Sequence, residues 1–156
     1  MDAKVNWKGK MSFSASADSG FSVDLDADAA VGGNSAGFLP LEMVEIGLAG
    51  CTAMDVISIL SKKKQDVTAF EVRVHAEKAE QHPKVFTSAV ITYTLHGHHL
   101  DEGSLRRAIE LSATRYCPAQ AMLSRAFPIQ LKYEIYEDQA GGKSTLVTSG
   151  EVVLPS

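Results

Sequence analysis

Between Pro40 and about Lys64 the chain carries a run that no continuous polar face interrupts: Leu41, Val44, Ile46, Leu48, Cys51, Met54, Val56, Ile57, Ile59 and Leu60. Proline needs no amide hydrogen bond in a first helical turn, so the pattern predicts a helix that begins near Pro40. A helix apolar on almost every side must be covered all round, and a chain of 156 residues has little surface with which to cover it alone. A buried central helix and a homodimer are therefore expected. The longest apolar stretch inside the run, Ile46 to Met54, contains Thr52 and is closed by Asp55. It falls short of the roughly 20 residues a membrane-spanning helix needs, so no membrane segment is expected.

The flanking sequence has the shorter period of strands. Before the helix, Val5 and Trp7, then Met11, Phe13 and Ala15, then Phe21, Val23 and Leu25 alternate with polar residues, and Asp18-Ser19-Gly20 supplies turn chemistry. Two or three antiparallel strands fit over Ala3 to Asp28, followed by a flexible Gly32–Gly37 loop. After Lys62-Lys63-Lys64 the alternation of Phe70, Val72, Val74 and Ala76, and later of Val85, Ala89, Ile91, Tyr93 and Leu95, reads as a long hairpin from Val67 to His96. Asp101-Glu102-Gly103-Ser104 opens a second helix with Ser104 as its expected cap, packed through Leu105, Ala108, Ile109 and Ser112. Tyr116-Cys117-Pro118 must kink or restart that helix. Ile129, Leu131, Tyr133 and Ile135 form a further strand, and Thr145 to Leu154 a last one at a sheet edge after the Gly141-Gly142-Lys143 turn. One domain over 1–156 is expected.

A formal charge of −4 gives no basic field, so nucleic-acid binding driven by phosphate neutralisation has no support. Two cysteines are too few for a disulfide framework or a four-cysteine zinc site. The polar start Met1–Lys10 lacks the apolar run of a signal peptide, and a cytoplasmic location with reduced thiols is the expectation. His96-Gly97-His98-His99 offers three imidazoles, but no carboxylate or cysteine stands at ligand spacing in sequence, so a solvated polar loop is expected rather than a metal site. No cofactor is called for.

The two thiols sit in unusual places. Cys51 lies about three turns into the long helix, beyond reach of the N-terminal dipole, next to Gly50 and one turn after Gly47. Interior glycines cost about 1 kcal/mol each relative to alanine, and close approach of another helix or of a substrate would account for them. Alone, Cys51 reads either as a small buried hydrophobe or as a reactive thiol. Cys117 reads either as incidental to a kink or, if Pro118 restarts the helix, as a cap whose thiolate free amides stabilise, with Arg115 and Arg125 near in sequence.

The segments Pro40–Asp55, Arg106–Ser112 and Tyr116–Leu123, in this order and at this separation, resemble the OsmC/Ohr family. The resemblance implies an α+β fold in which antiparallel sheets wrap two long central helices of an intertwined homodimer. It further implies a thiol-dependent peroxidase. Cys51 matches the peroxidatic position, which attacks an organic hydroperoxide or hydrogen peroxide, and Cys117 the resolving position; a dithiol such as a dihydrolipoyl group reduces the resulting disulfide. Leu48, Met54 and Met122 either line a pocket for an alkyl tail or belong to the core. The best-studied peroxidases of the family carry an arginine in the N-terminal strands and a glutamate directly after the helix-starting proline. Here the first arginine is Arg73 and Leu41 follows the proline, so Glu42 is the nearest substitute for that glutamate. The missing arginine motivates an alternative of another class, a redox-sensing or small-molecule-binding dimer with little turnover.

Overall fold

The computed structural model describes residues 1–154 as two compact units, Met1–Val44 and Glu45 onward. In the first unit β1 (Ala3–Gly9), β2 (Ser12–Ala17) and β3 (Ser22–Leu25) form an antiparallel sheet in that order. The alternation sets its register: Val5 faces Ala15, which faces Val23, and Trp7 faces Phe13, which faces Leu25. The apolar face so assembled is uncovered within the unit. Phe21 is 81% exposed, and Ala3, Val5, Ala15, Phe21, Val23 and Met43 line a concavity of about 440 Å³.

The glycine loop is held by Asp26. Its carboxylate accepts from the amides of Ala27 at 2.8 Å, Asn34 at 3.1 Å and Ala36 at 3.2 Å. These bonds, that of Ala27 foremost, keep its acid below the usual carboxylate range. A β-carbon at Gly33 would lie 1.8 Å from the Ala27 carbonyl oxygen, so only glycine lets the loop close this tightly.

Helix α1 runs Pro40–Lys62, two residues short of the expected end, where Lys64 turns to positive φ. In the second unit α1 buries a single row, Leu48, Thr52, Val56 and Leu60, spaced every four residues. This row joins Ile91, Tyr93 and Leu95 of β5 (Phe86–His98), Leu105, Ala108 and Ile109 of α2 (Glu102–Leu111), and Leu131, Tyr133 and Ile135 of β6 (Ile129–Gln139) in one core. The rest of α1 stays open: Ile46 is 46% and Met54 74% exposed, and a β-carbon built at Gly47 or Gly50 would meet nothing within 4 Å. The expectation that no segment reaches membrane-spanning length needs correction. Taken whole, α1 with its 23 residues is long and apolar enough to cross a membrane by length and composition alone. One row of it, Leu48, Thr52, Val56 and Leu60, packs into the core.

The hairpin forms as expected, β4 (Asp66–Lys78) antiparallel to β5, and β7 (Lys143–Glu151) is an edge strand in the order β4-β5-β6-β7. One pairing departs from an all-antiparallel sheet. β5 and β6 run parallel because the helical segment from Glu102 to Leu123 carries the chain back before β6 starts. Ser104 is not the cap of α2. Asp101 is, accepting from the Ser104 amide at 2.6 Å, and the Ser104 hydroxyl and amide hold its acid low.

Candidate functional site

α2 does not simply kink before Cys117. It widens into a π turn over Ser112–Tyr116, closed by the Cys117 amide donating to the Ser112 carbonyl at 2.9 Å, and then restarts as α3 (Pro118–Leu123). Pro118 supplies the first helical residue without an amide to satisfy, which leaves Cys117 as the cap in extended conformation. Its sulfur accepts from the Gln120 amide at 3.3 Å.

This arrangement brings the buried Cys117 near the half-buried Cys51 of α1, close enough for Cys51 to act on its proton, and both are free thiols. The expected thiolate at the cap does not follow. Burial, then the hydrogen bond with Cys51, push the Cys117 thiol up to about 12, against a single opposing amide from a helix of six residues. Arg115 lies over the Tyr116 ring, 5.5 Å from its centre, and Arg73 pairs with Glu71 at 2.8 Å on exposed β4. The groups that act on Cys117 are Cys51, Asp55 and the Gln120 amide, with no cation among them.

Beside the thiols runs a buried polar chain that the periodicity does not announce. Tyr93 Oη lies 2.7 Å from Thr52 Oγ1, Thr52 Oγ1 2.9 Å from Ser112 Oγ, and Ser112 Oγ donates to Asp55 Oδ2 at 3.0 Å. Each hydroxyl has one proton to give. Since Ser112 gives its proton to the carboxylate, Thr52 must donate to Ser112 and Tyr93 to Thr52, so all three point toward Asp55. Burial raises the Tyr93 phenol above its usual range, which keeps it a donor. The hint in the sequence was chemical: a tyrosine at a core position of a strand needs a partner for its hydroxyl. Gln120 was also missed; its side-chain oxygen is buried with no partner.

The remaining expected residues fall elsewhere. Glu42 lies in the first unit, where its carboxylate reaches back to accept from the Leu39 amide at 2.8 Å, half of a capping box at the start of α1. Leu48 belongs to the core, while Met54 and Met122 are exposed. His96 and His98 lie on β5 rather than in a loop. They face Asp138 and Glu137, each at 3.7 Å, and His96 stacks on Tyr136. Parallel pairing with β6 brings these carboxylates there, yet no group of three potential ligands is gathered among the described residues.

An α+β chain with a free thiol in mid-helix and a second at the cap of another helix is a dithiol protein of a particular architecture. A sequence model of the OsmC-like protein family matches residues 32–132, and the chain belongs to that family. It is 35% identical over 135 residues to Protein YhfA of Escherichia coli (strain K12), covering 86% of this chain and 98% of the relative. A structure of an OsmC-like protein from Mycoplasma pneumoniae matches with a TM-score of 0.73 at 18% identity, over 86% of this chain and 95% of the other. An organic hydroperoxide resistance protein from Legionella pneumophila matches with a TM-score of 0.62 at 15% identity, over 86% and 94%. At such identities the likeness to the two structures is one of fold.

Proposed function

We propose that the chain is a thiol peroxidase for organic hydroperoxides or hydrogen peroxide, acting in the cytoplasm in defence against oxidative stress. The observation that carries this reading is the proximity of the half-buried Cys51 thiol to the buried Cys117 thiol across two helices. The Cys51 thiolate attacks the outer oxygen of the hydroperoxide and the O–O bond breaks. An alkoxide leaves and takes up a proton as the alcohol, and Cys51 becomes a sulfenic acid. The Cys117 sulfur then attacks the Cys51 sulfur; the S–O bond breaks, and the hydroxide leaves as water with the proton of the thiol. An external dithiol, of the dihydrolipoyl kind, exchanges with the disulfide, restores both thiols and is itself oxidised. Membership of the OsmC-like family supports the assignment.

The working unit in this proposal is a homodimer. The open sides of α1 around Gly47, Gly50 and Met54, and the uncovered apolar face of β1–β3, support it. A single sedimenting species of monomer mass at micromolar concentration would refute it. For the peroxidase, reduced protein is mixed with a slight excess of cumene hydroperoxide, and the expected product is an intramolecular Cys51–Cys117 disulfide by mass spectrometry. A Cys51 that remains alkylatable would overturn the reading. The absence of any arginine before Arg73 favours a second reading, a redox-sensing or small-molecule-binding dimer. Supplying dihydrolipoamide separates the two: sustained peroxide consumption marks the enzyme, a single oxidation without turnover the sensor.

A further inference from the structure

The hydroxyl chain ends on a carboxylate that the peroxidase steps above do not use. Asp55 follows Cys51 by one helical turn on α1, and Ser112 opens the π turn that ends at Cys117. Ser112 therefore links the two halves of the site. Its hydroxyl donates to Asp55 at 3.0 Å, and its carbonyl accepts from the Cys117 amide at 2.9 Å. Thr52, adjacent to Cys51, ties the same hydroxyl to α1 a second time at 2.9 Å. Ser112 and Thr52 are fully buried, so water does not compete for these bonds.

We propose that Asp55 is a positioning residue for the thiol pair: by fixing the Ser112 hydroxyl it sets the donor direction of the Tyr93–Thr52–Ser112 chain and holds the π turn that presents Cys117 to Cys51. This rests on the reading of Cys51 and Cys117 as a working pair. A neutral hydrogen-bonding residue at 55 would support some of these bonds but leave no fixed sense to the chain, because an amide both donates and accepts. The negative charge has a second effect. Together with Cys51 it disfavours the Cys117 thiolate, so the resolving sulfur stays protonated while Cys51 is reduced. The titratable groups bearing on Cys117 are Cys51 and Asp55 of α1, and Tyr93 of β5 senses both Asp55 and Cys117.

The test needs no peroxide, so its failure and the failure of the peroxidase reading are separate results. The full chain is equilibrated with reduced and oxidised glutathione, in which one glutathione disulfide oxidises the pair and leaves as two thiols. Ser112→Ala is expected to weaken Cys51–Cys117 disulfide formation roughly fivefold, the worth of about one net hydrogen bond. In parallel, Cys117 alkylation by iodoacetamide at pH 8.5 is followed at the peptide level. Asp55→Asn is expected to speed it about two- to threefold by removing a nearby charge, and Asp55→Glu to restore the slow rate. General loosening of the packing would speed alkylation in Asp55→Glu as well, which overturns the proposal. So does a Ser112→Ala protein whose glutathione equilibrium is unchanged. If Asp55→Asn does not fold, the Asp55→Glu and Ser112→Ala measurements decide alone.

Discussion

Thr52→Val removes one hydroxyl and keeps the side-chain shape. Thr52 is fully buried, and its oxygen bonds Tyr93 at 2.7 Å and Ser112 at 2.9 Å. In the variant Ser112 still has Asp55 as acceptor. Tyr93, fully buried, loses the acceptor recorded for its hydroxyl, and a buried donor left unpaired costs about 1–3 kcal/mol. Taking about 2 kcal/mol, and about 2–4 °C per kcal/mol for a domain of this size, the midpoint of thermal unfolding should fall by about 4–8 °C. Tyr93→Phe in the same background removes the orphaned donor. The double variant should therefore be more stable than the sum of the two single effects predicts, by about 1 kcal/mol or more. Calorimetry or urea denaturation of the four proteins of this cycle gives the coupling. A Thr52→Val protein within about 0.5 kcal/mol of the parent, or strictly additive single effects, would mean that the Tyr93–Thr52–Ser112 chain is not a coupled unit.

Three further expectations follow from the same geometry. With its thiol pushed up to about 12, Cys117 should be alkylated at pH 8.5 about a thousandfold more slowly than free cysteine and speed up about tenfold per pH unit to pH 11, where a plateau below pH 10 contradicts the assignment. Because the folded state holds this proton more tightly, its contribution to stability is complete below the unfolded value of about 8.5 and is lost as pH rises toward 12, so alkaline unfolding should be milder in Cys117→Ala once its overall loss of stability is subtracted. Gly50→Ala meets no atom of its own chain and should raise the stability of an isolated monomer by about 1 kcal/mol, but weaken dimerisation or peroxide turnover if a partner helix or substrate occupies that space; equal gains in every assay would sink the second half.

Much of the layout was legible locally. The start of α1 is written in Pro40, the pairing of β4 with β5 in two stretches of period two, and the cap role of Cys117 in the proline that follows it. What escaped depends on partners distant in the chain. Thr52 meets Tyr93 across 41 positions and Ser112 across 60, and nothing in the spacing of a hydroxyl reveals its partner. The parallel pairing of β5 with β6 escaped for a similar reason: alternation shows which face of a strand is buried but not its neighbour, and with the neighbour went the carboxylates facing His96 and His98. The acidity of Cys117 was misjudged because a cap position is visible in sequence while the depth of burial opposing it is not. At α2 the sequence pointed to Ser104 as the cap, but Asp101 has the reach, because its carboxylate spans three residues to the Ser104 amide.

The π turn at Ser112–Tyr116 has a consequence for how such a site can be recognised in sequence. A turn of this kind holds about one residue more than the α-helical turn in its place, and each residue of a regular helix advances the chain by about 100° and about 1.5 Å. Loss of a single codon here, that of exposed Thr114 for example, would close the turn to an α-helical one, in which the Cys117 amide bonds the same Ser112 carbonyl four positions back instead of five. Cys117 would then keep the side facing Cys51, although the two cysteines stood one residue closer in sequence. The π turn thus lets the spacing between the two cysteines change by one residue, and a search that fixed that spacing would miss a chain in which the thiols still meet.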